Sequence, residues 1–492
     1  MGRRWLGWLG SLRLAVVVLS LYAVTVGWAT LVDNRYGATA VAWGIYRSVW
    51  FAALNVLLGL NVLCSALVRF PWKKRQIGFL MIHTGILSLM IGSAVTWRGG
   101  VDGVIGVFEG RGASRIVTDT RILEVTVDGK SQTIPLEPGP FSWSMLRSAG
   151  TDESALSRFP WRLSGNGRPR TIFRDASIRI ELVDWLAQVR LVPADDAAHT
   201  MVDLTEEAEK TVTPGSSGDF PRWTVETSSP VPVEVTIRPV PFPGKDATRA
   251  DREAWVDRGL RAARLRVHTL RDGGPATKTS GTPGGSGAGV PGAENPEVED
   301  YWLLLDESEA ARFRRMAGDL LTPDVLTDAE SLEQVRYASL LTPEMTSQTI
   351  HPGNRTVTLS LRSLDVDAGF GVTLRRFDRR FNPGSRQASH YASQIDLTEP
   401  DGTMILADQR ITMNEPIEFR GVRLFQTSWR GPWAPGHPFY DAIEPVESEE
   451  SGLYMTVLSA NRDPGSGWKY VGSFLLLVGM TIVFVRKAGG VK

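Results

Sequence analysis

Four stretches of this chain are too continuously apolar to rest in water, and each is about as long as a bilayer core is thick. They run Leu14–Val32, Trp50–Val68, Ile77–Trp97 and about Trp468–Val485. A helix needs ~20 such residues to cross the hydrocarbon, so four transmembrane α-helices are predicted. The first run follows Arg3, Arg4 and Arg13, as a secretory signal would. Its apolar stretch is longer than the ~7–15 residues of a signal core, so a retained span is predicted. The chain divides accordingly into a membrane region over 1–97, an outer domain over 98–467, and a last span with its tail over 468–492.

Basic residues set the expected orientation. Arg3, Arg4 and Arg13 precede the first span, Arg69, Lys73, Lys74 and Arg75 join the second to the third, and Arg486, Lys487 and Lys492 follow the fourth. These pieces hold ten of the 54 basic residues and none of the 54 acidic ones. Cytoplasmic loops carry that excess of Lys and Arg. Both termini are therefore expected inside, with the net-acidic segment 98–467 outside.

Beyond Trp97 the pattern changes to period two. Ile122–Val127, Ser177–Val183, Val231–Ile237 and Thr356–Leu361 alternate apolar and polar residues, as half-buried strands require. Gly371–Phe377, Tyr391–Leu397, Thr403–Met413, Val422–Trp429 and Leu453–Leu458 are further candidates. Many short strands without β-α-β alternation predict a large, mainly antiparallel β, sandwich-like domain. Arg252–Leu265 and Glu307–Leu321 have helical composition. Asp272–Pro296, rich in Gly, Pro, Ser and Thr, offers nothing to bury and is expected to be a flexible insertion. The chain's single cysteine, Cys64, lies in an apolar run, which excludes an internal disulfide and any CxxC pair.

Hydrolase and phosphate-binding signatures are missing, as is the CxxCH of a c-type cytochrome; no catalytic residue and no metal-ligand cluster emerge. Of six histidines, His199, His268, His351, His390 and His437 are scattered through the outer domain. His83 is the one ionisable residue well inside a predicted span, and such groups are costly in lipid unless they have a function. Six residues past Ile77, it lies about 9 Å into the span. Gly78, Gly85 and Gly92 form a smooth stripe for helix contact, and His83 sits about 200° around from Gly85. An imidazole on an apolar face, beside Ile86, Leu87 and Met90, suits a haem iron. An interhelical hydrogen bond, to Asn55 or Asn61, is the structural alternative.

Several segments resemble the ResB/CcsB family of system II cytochrome c biogenesis. IYRSVWFAALNVLLGLNVLCSALVRF (Ile45–Phe70) looks like its second span, and GFLMIHTGILSLMIGSAVTW (Gly78–Trp97) its His-bearing third. MNEPIEFRGVRLFQTSW (Met413–Trp429) resembles a stretch of its outer domain, and NRDPGSGWKYVGSFLLLVGM (Asn461–Met480) the approach to its last span. The middle, about 130–350, departs from the family pattern.

The resemblance implies a multi-pass protein of the bacterial inner (plasma) membrane with its large domain extracytoplasmic. It further implies a non-catalytic subunit of a cytochrome c haem lyase complex, with a CcsA/ResC-type membrane protein and apocytochrome c as partners. Haem would be transient and shared, with His83 as candidate axial ligand. Asn414, Pro416, Gly421, Gln426 and Ser428 could face a partner or simply build a strand-turn-strand. The alternative function is a membrane-anchored β-domain scaffold that never handles haem.

Overall fold

The computed structural model describes residues 2–144, 168–193, 220–225, 233–240, 243, 247–248, 250–251, 259–269, 298–320, 343–352, 355–384, 388–443 and 452–488. Four helices are long and apolar enough to cross a membrane. These are α2 (Leu12–Tyr36), α4 (Val49–Leu67), α5 (Ile77–Gly99) and, after two short outer-domain helices and a one-turn piece, the last helix of the chain. Short α1 (Gly2–Leu9) precedes them, and α3 (Ala38–Val41) runs into a π turn over Ala42–Tyr46. The later helices are α6 (Glu309–Ala317), α7 (Pro343–Thr346), α8 (Pro438–Ile443) and α9 (Ser466–Ala488).

The intervening domain is built from two antiparallel sheets. The larger contains β1 (Val101–Phe108), β2 (Gly112–Val127), β3 (Lys130–Pro135), β10 (Ser347–Ile350), β11 (Val357–Phe381), β12 (Ala388–Thr398), β13 (Met404–Thr412), β14 (Ile417–Phe419), β15 (Val422–Trp433) and β16 (Leu453–Arg462). Its order is β13-β12-β11-β2-β1-β16-β15-β14, with β3 on β2 and β10 on β11. The smaller contains β4 (Arg170–Arg174), β5 (Ile178–Pro193), β6 (Arg222–Val225), β7 (Val233–Pro239), β8 (Leu260–Thr269) and β9 (Val298–Asp306), ordered β6-β7-β5-β8-β9 with β4 on β5.

Long strand β11 serves two cores. Its first part sends Leu359 and Leu361, beside Leu123 and Val125 of β2, against Ile180, Leu182 and Trp185 of β5 and Leu265 of β8. That is the sheet-on-sheet layer. After a register shift between Asp367 and Val372, its second part joins a sheet that curls on itself. Phe370, Val372 and Leu374 there meet Ile395, Ile411, Leu424 and Leu458 in a second core. Each such fully buried apolar side chain stabilises the fold by roughly 1.5–3 kcal/mol.

Two features lie outside the expectation. The described part of Arg252–Leu265, from Gly259 on, runs into strand β8 (Leu260–Thr269), paired on both edges by β5 and β9. Ala263, Leu265 and Val267 point into the core while Arg264 and Arg266 reach Asp300 outside. Two-sided pairing thus outweighs the weak helical preference of Ala, Leu and Arg. The expected helix over Glu307–Leu321 is present as α6 followed by a 3-10 turn. Second, the connection after α2 is itself core. Ala40, Val41, Trp43 and Ile45 are buried with Tyr36, Phe141 and Trp143, and Trp43 Nε1 donates to the Glu137 carbonyl at 3.4 Å. The β-domain is therefore seated on the helices rather than tethered to them. The Gly-rich stretch Asp272–Pro296 lies outside the described residues.

Helix pair α5/α9 runs directly into strand pair β1/β16. Val101 pairs with Arg462 and Phe108 with Met455, antiparallel throughout. The helical ends that meet the β-domain lie on one side of the bundle. Residues 69–76, α1 and the end of α9 lie on the other, where Arg486 Nη1 donates to the Lys74 carbonyl at 3.0 Å.

Candidate functional site

The packing of α5 decides what His83 can face. On one side of α5, Gly78 and Gly85 meet Gly479 and Gly472 of α9, and Gly92 meets Gly465 just before it. A Cβ on Gly85 would stand 2.8 Å from the Gly472 carbonyl oxygen, and one on Gly472 equally 2.8 Å from that of Gly85. Glycines at sevenfold spacing on two antiparallel helices let the backbones touch, as small-residue seams do in membranes. Ser88 Oγ donates to the Trp468 carbonyl at 2.8 Å across the same seam. At its outer end Thr96 Oγ1 donates to Asp463 at 2.5 Å, and Lys469 Nζ lies 2.8 Å from the other carboxylate oxygen. Lys469 first, then Thr96, hold the Asp463 carboxyl below its ordinary value. The Arg-Asp-Pro-Gly segment thereby fastens the start of α9 to α5, a role not foreseen from the sequence.

His83 lies off this seam and is half-buried. Met90, two turns along the same line of α5, packs toward Gly59 of α4. The His83 Nδ1 is 2.9 Å from the Phe79 carbonyl oxygen. A carbonyl only accepts, so Nδ1 carries the proton and Nε2 keeps its lone pair. A metal-binding histidine is usually oriented in this way, by giving its other ring N–H to a carbonyl or carboxylate. The Phe79 ring centroid is 3.8 Å from that of the imidazole.

Neither asparagine named as a structural partner bonds His83. Asn55 accepts from Tyr22 Oη at 2.6 Å and donates to the Phe51 carbonyl at 2.8 Å. Asn61 donates to the Leu9 carbonyl at 2.6 Å and the Ser11 carbonyl at 3.2 Å, closing the elbow between α1 and α2. Gly10 of that elbow presses on the backbone of Cys64 and Ser65, so Cys64 is a packing residue of α4.

The outer-domain histidines are otherwise engaged. His268 pairs with Glu181 at 3.2 Å, His351 approaches Thr356, and His390 meets Arg410. His437 Nδ1 accepts from the Phe439 backbone N–H at 3.2 Å, which places the neutral ring's proton on Nε2, the opposite of His83. Burial lowers its pKa, against the nearby Asp441. His199 lies outside the described residues. Among the described residues no three His, Cys, Asp or Glu gather closely enough to hold a metal ion.

The 414–428 segment forms a strand-turn-strand. Asn414 and Glu415 backbone N–H groups donate to Thr412 Oγ1. Arg420 and Gly421 take left-handed φ values of 49° and 76°, turning β14 into β15. Gln426 is buried inside the curl. It accepts from Ser393 Oγ at 2.5 Å and donates to Thr456 Oγ1 at 2.9 Å and the Ser428 carbonyl at 3.0 Å. Asn414, Pro416, Gly421 and Ser428 are exposed. Four of these five residues can thus meet a partner, while Gln426 joins β12, β15 and β16. Arg423 of the hairpin pairs in register with Asn461 of β16, so this segment stands over the fastening of α9.

A ResB-like family model matches residues 343–437, which covers β10 to β15 and the start of the segment after them. Protein NrfI of Wolinella succinogenes is 27% identical over 145 residues, amounting to 30% of this chain and 14% of that protein. The match therefore spans well under two thirds of the relative. The family match lies on the curled sheet of a protein with an antiparallel β-domain and four helices long and apolar enough to cross a membrane. The two similarities support a ResB/CcsB-type protein.

Proposed function

We propose that this chain is a membrane subunit of a system II cytochrome c synthetase, assisting haem delivery and covalent haem attachment to exported apocytochrome c. A cytochrome c biogenesis role follows from its ResB/CcsB type. The observation that carries the finer reading is the His83 tautomer: Nδ1 is bound to the Phe79 carbonyl, which leaves Nε2 to coordinate iron from an apolar helix flank. The residues fit a haem, since a single imidazole with a free lone pair beside apolar walls is what a porphyrin iron takes. When bound, haem supplies the vinyl groups that CxxCH thiols attack. This chain's part is to hold and orient it through His83, with Phe79 packed against the imidazole.

A CcsA/ResC-type membrane protein is the proposed partner, as the resemblance to the ResB/CcsB family implies. The exposed residues Asn414, Pro416, Gly421 and Ser428 are proposed to face that partner or the apocytochrome. The helices are proposed to cross the bacterial plasma membrane with the β-domain outside. Arg69, Lys73, Lys74, Arg75, Arg486 and Lys487 all stand at the far side of the bundle from the sheets, as expected of a cytoplasmic face.

The test is covalent haem in a reporter apocytochrome, measured in cells that depend on this chain. His83→Ala should accumulate normally and leave the reporter nearly free of haem. Normal maturation by a well-expressed His83→Ala would remove His83 from the function.

A further inference from the structure

Arg69 closes the α4 end of the loop into α5, and its surroundings are not those of an ordinary loop arginine. Its guanidinium carbon lies 3.8 Å from the Phe79 ring centroid, and that ring in turn lies 3.8 Å from the imidazole of His83. Cation, ring and imidazole therefore touch in sequence. Arg69 is exposed; its backbone N–H donates to the Ala66 carbonyl at 3.3 Å, and among the described residues its guanidinium makes no ion pair or hydrogen bond. A guanidinium lying over an aromatic ring still has N–H groups to offer, and its fork matches a carboxylate in bidentate geometry.

We propose that Arg69 binds the carboxylate-bearing edge of the planar ligand that His83 coordinates, orienting that edge toward the 69–76 loop. The proposal rests on the reading of His83 as an axial haem ligand. A porphyrin carries its two carboxylates on one edge, while the axial ligand lies over its centre. A cation that anchors the edge must stand beside the imidazole, displaced from it laterally. Phe79 holds the guanidinium and the imidazole beside one another, its ring centroid 3.8 Å from each. The same fork would take a lipid phosphate, and the experiment separates the two sources.

Full-length protein is titrated with haem and with haem dimethyl ester, whose carboxylates are capped, and uptake is followed by visible absorbance. A charge-assisted hydrogen-bonded pair is lost with the ester, so the wild type should bind haem on the order of tenfold to a hundredfold more tightly. Arg69→Gln should bind both ligands at the weaker affinity, and Arg69→Lys should fall between. Equal affinities of the wild type for haem and ester overturn the assignment, and that comparison needs no variant. Titrations in phosphatidylcholine vesicles, with and without phosphatidylglycerol, address the lipid. An ester effect that survives the anionic lipid supports the assignment, and one that it erases overturns it. His83→Ala keeps the two failures apart. If haem binding depends on His83 but shows no ester effect, Arg69 is overturned alone. If binding is unchanged in His83→Ala, or absent in the wild type, the axial reading falls as well.

Discussion

The seam between α5 and α9 makes a quantitative prediction. Gly85→Ala places a methyl 2.8 Å from the Gly472 carbonyl oxygen and 3.0 Å from the backbone nitrogen and side chain of Leu476. Comfortable contacts begin at about 3.5 Å. Two of the three obstructing atoms are backbone and cannot rotate away, so the helices must part by on the order of 0.5 Å along a seam that also carries the Ser88–Trp468 bond. Overpacking of this kind costs about 1–3 kcal/mol. Gly472→Ala meets the reciprocal contact, 2.8 Å from the Gly85 carbonyl, and should cost a similar amount. Once one methyl has parted the helices, the second enters space already opened. The double variant should therefore lose less than the two single losses added, as expected of neighbours in contact. Gly27 of α2 is the control, with nothing within 4 Å of its would-be Cβ. Gly27→Ala should be neutral or gain up to about 1 kcal/mol from helix propensity. The assay is thermal unfolding of the detergent-purified protein. A Gly85→Ala variant as stable as Gly27→Ala would refute the close seam.

Three further outcomes are expected. Glu307 is buried between Arg121, at 2.5 Å and 2.9 Å, and the fully buried Arg261; burial pushes its carboxyl up, but Arg261 and Arg121 outweigh that and hold it below its ordinary 4.5. Its folded pKa is thus depressed, so its contribution is complete above the unfolded value and fades as pH falls through the folded one. Glu307→Gln should cost about 3–5 kcal/mol near neutral pH and flatten the acid limb of the stability curve; an unchanged acid limb would contradict this. Replacing 272–296 by a short Gly/Ser turn should preserve folding and cytochrome maturation, because His268 pairs directly with Val298 and the described strand ends lie about 5 Å apart; loss of folded protein would count against it. Reporter fusions at Val290 and after Lys492 should read exported and cytoplasmic respectively, and the reverse pair of signals would overturn the orientation.

Much of this architecture was legible because apolar residues repeat with the period of their element. The described part of every proposed strand, from Ile122–Val127 to Leu453–Leu458, lies in a strand to within one residue at either end, and so do all four apolar runs in long helices. What escaped was set by partners distant in sequence. Leu260–Thr269 is rich in good helix formers and becomes a strand only because β5 and β9 flank it. Trp43, between α2 and α4, fills space beneath Gly139 that leaves no room for a Cβ, a contact between residues far apart in sequence. The glycine stripe of α5 could be read alone, but its partner could not be chosen until Gly465, Gly472 and Gly479 were seen opposite. His83 stood out as an imidazole in lipid. Its tautomer, and the stacking of Phe79 and Arg69, depend on rotamers and loop placement that no local pattern encodes. Gln426 shows the converse, since a residue offered as a contact surface proved to be an internal bond among three strands.

The claim on which the account turns is that His83 Nε2 is an iron ligand, and the visible absorption spectrum of the full-length protein purified in detergent tests it most directly. The wild type should carry haem with the bands of an imidazole-ligated iron. His83→Ala should be purified in equal amount without those bands, because a methyl cannot replace the ligand and the hydrogen bond lost is one within α5, to the Phe79 carbonyl. Millimolar imidazole should restore part of the haem. Equal haem content with unchanged bands in wild type and His83→Ala would contradict the account.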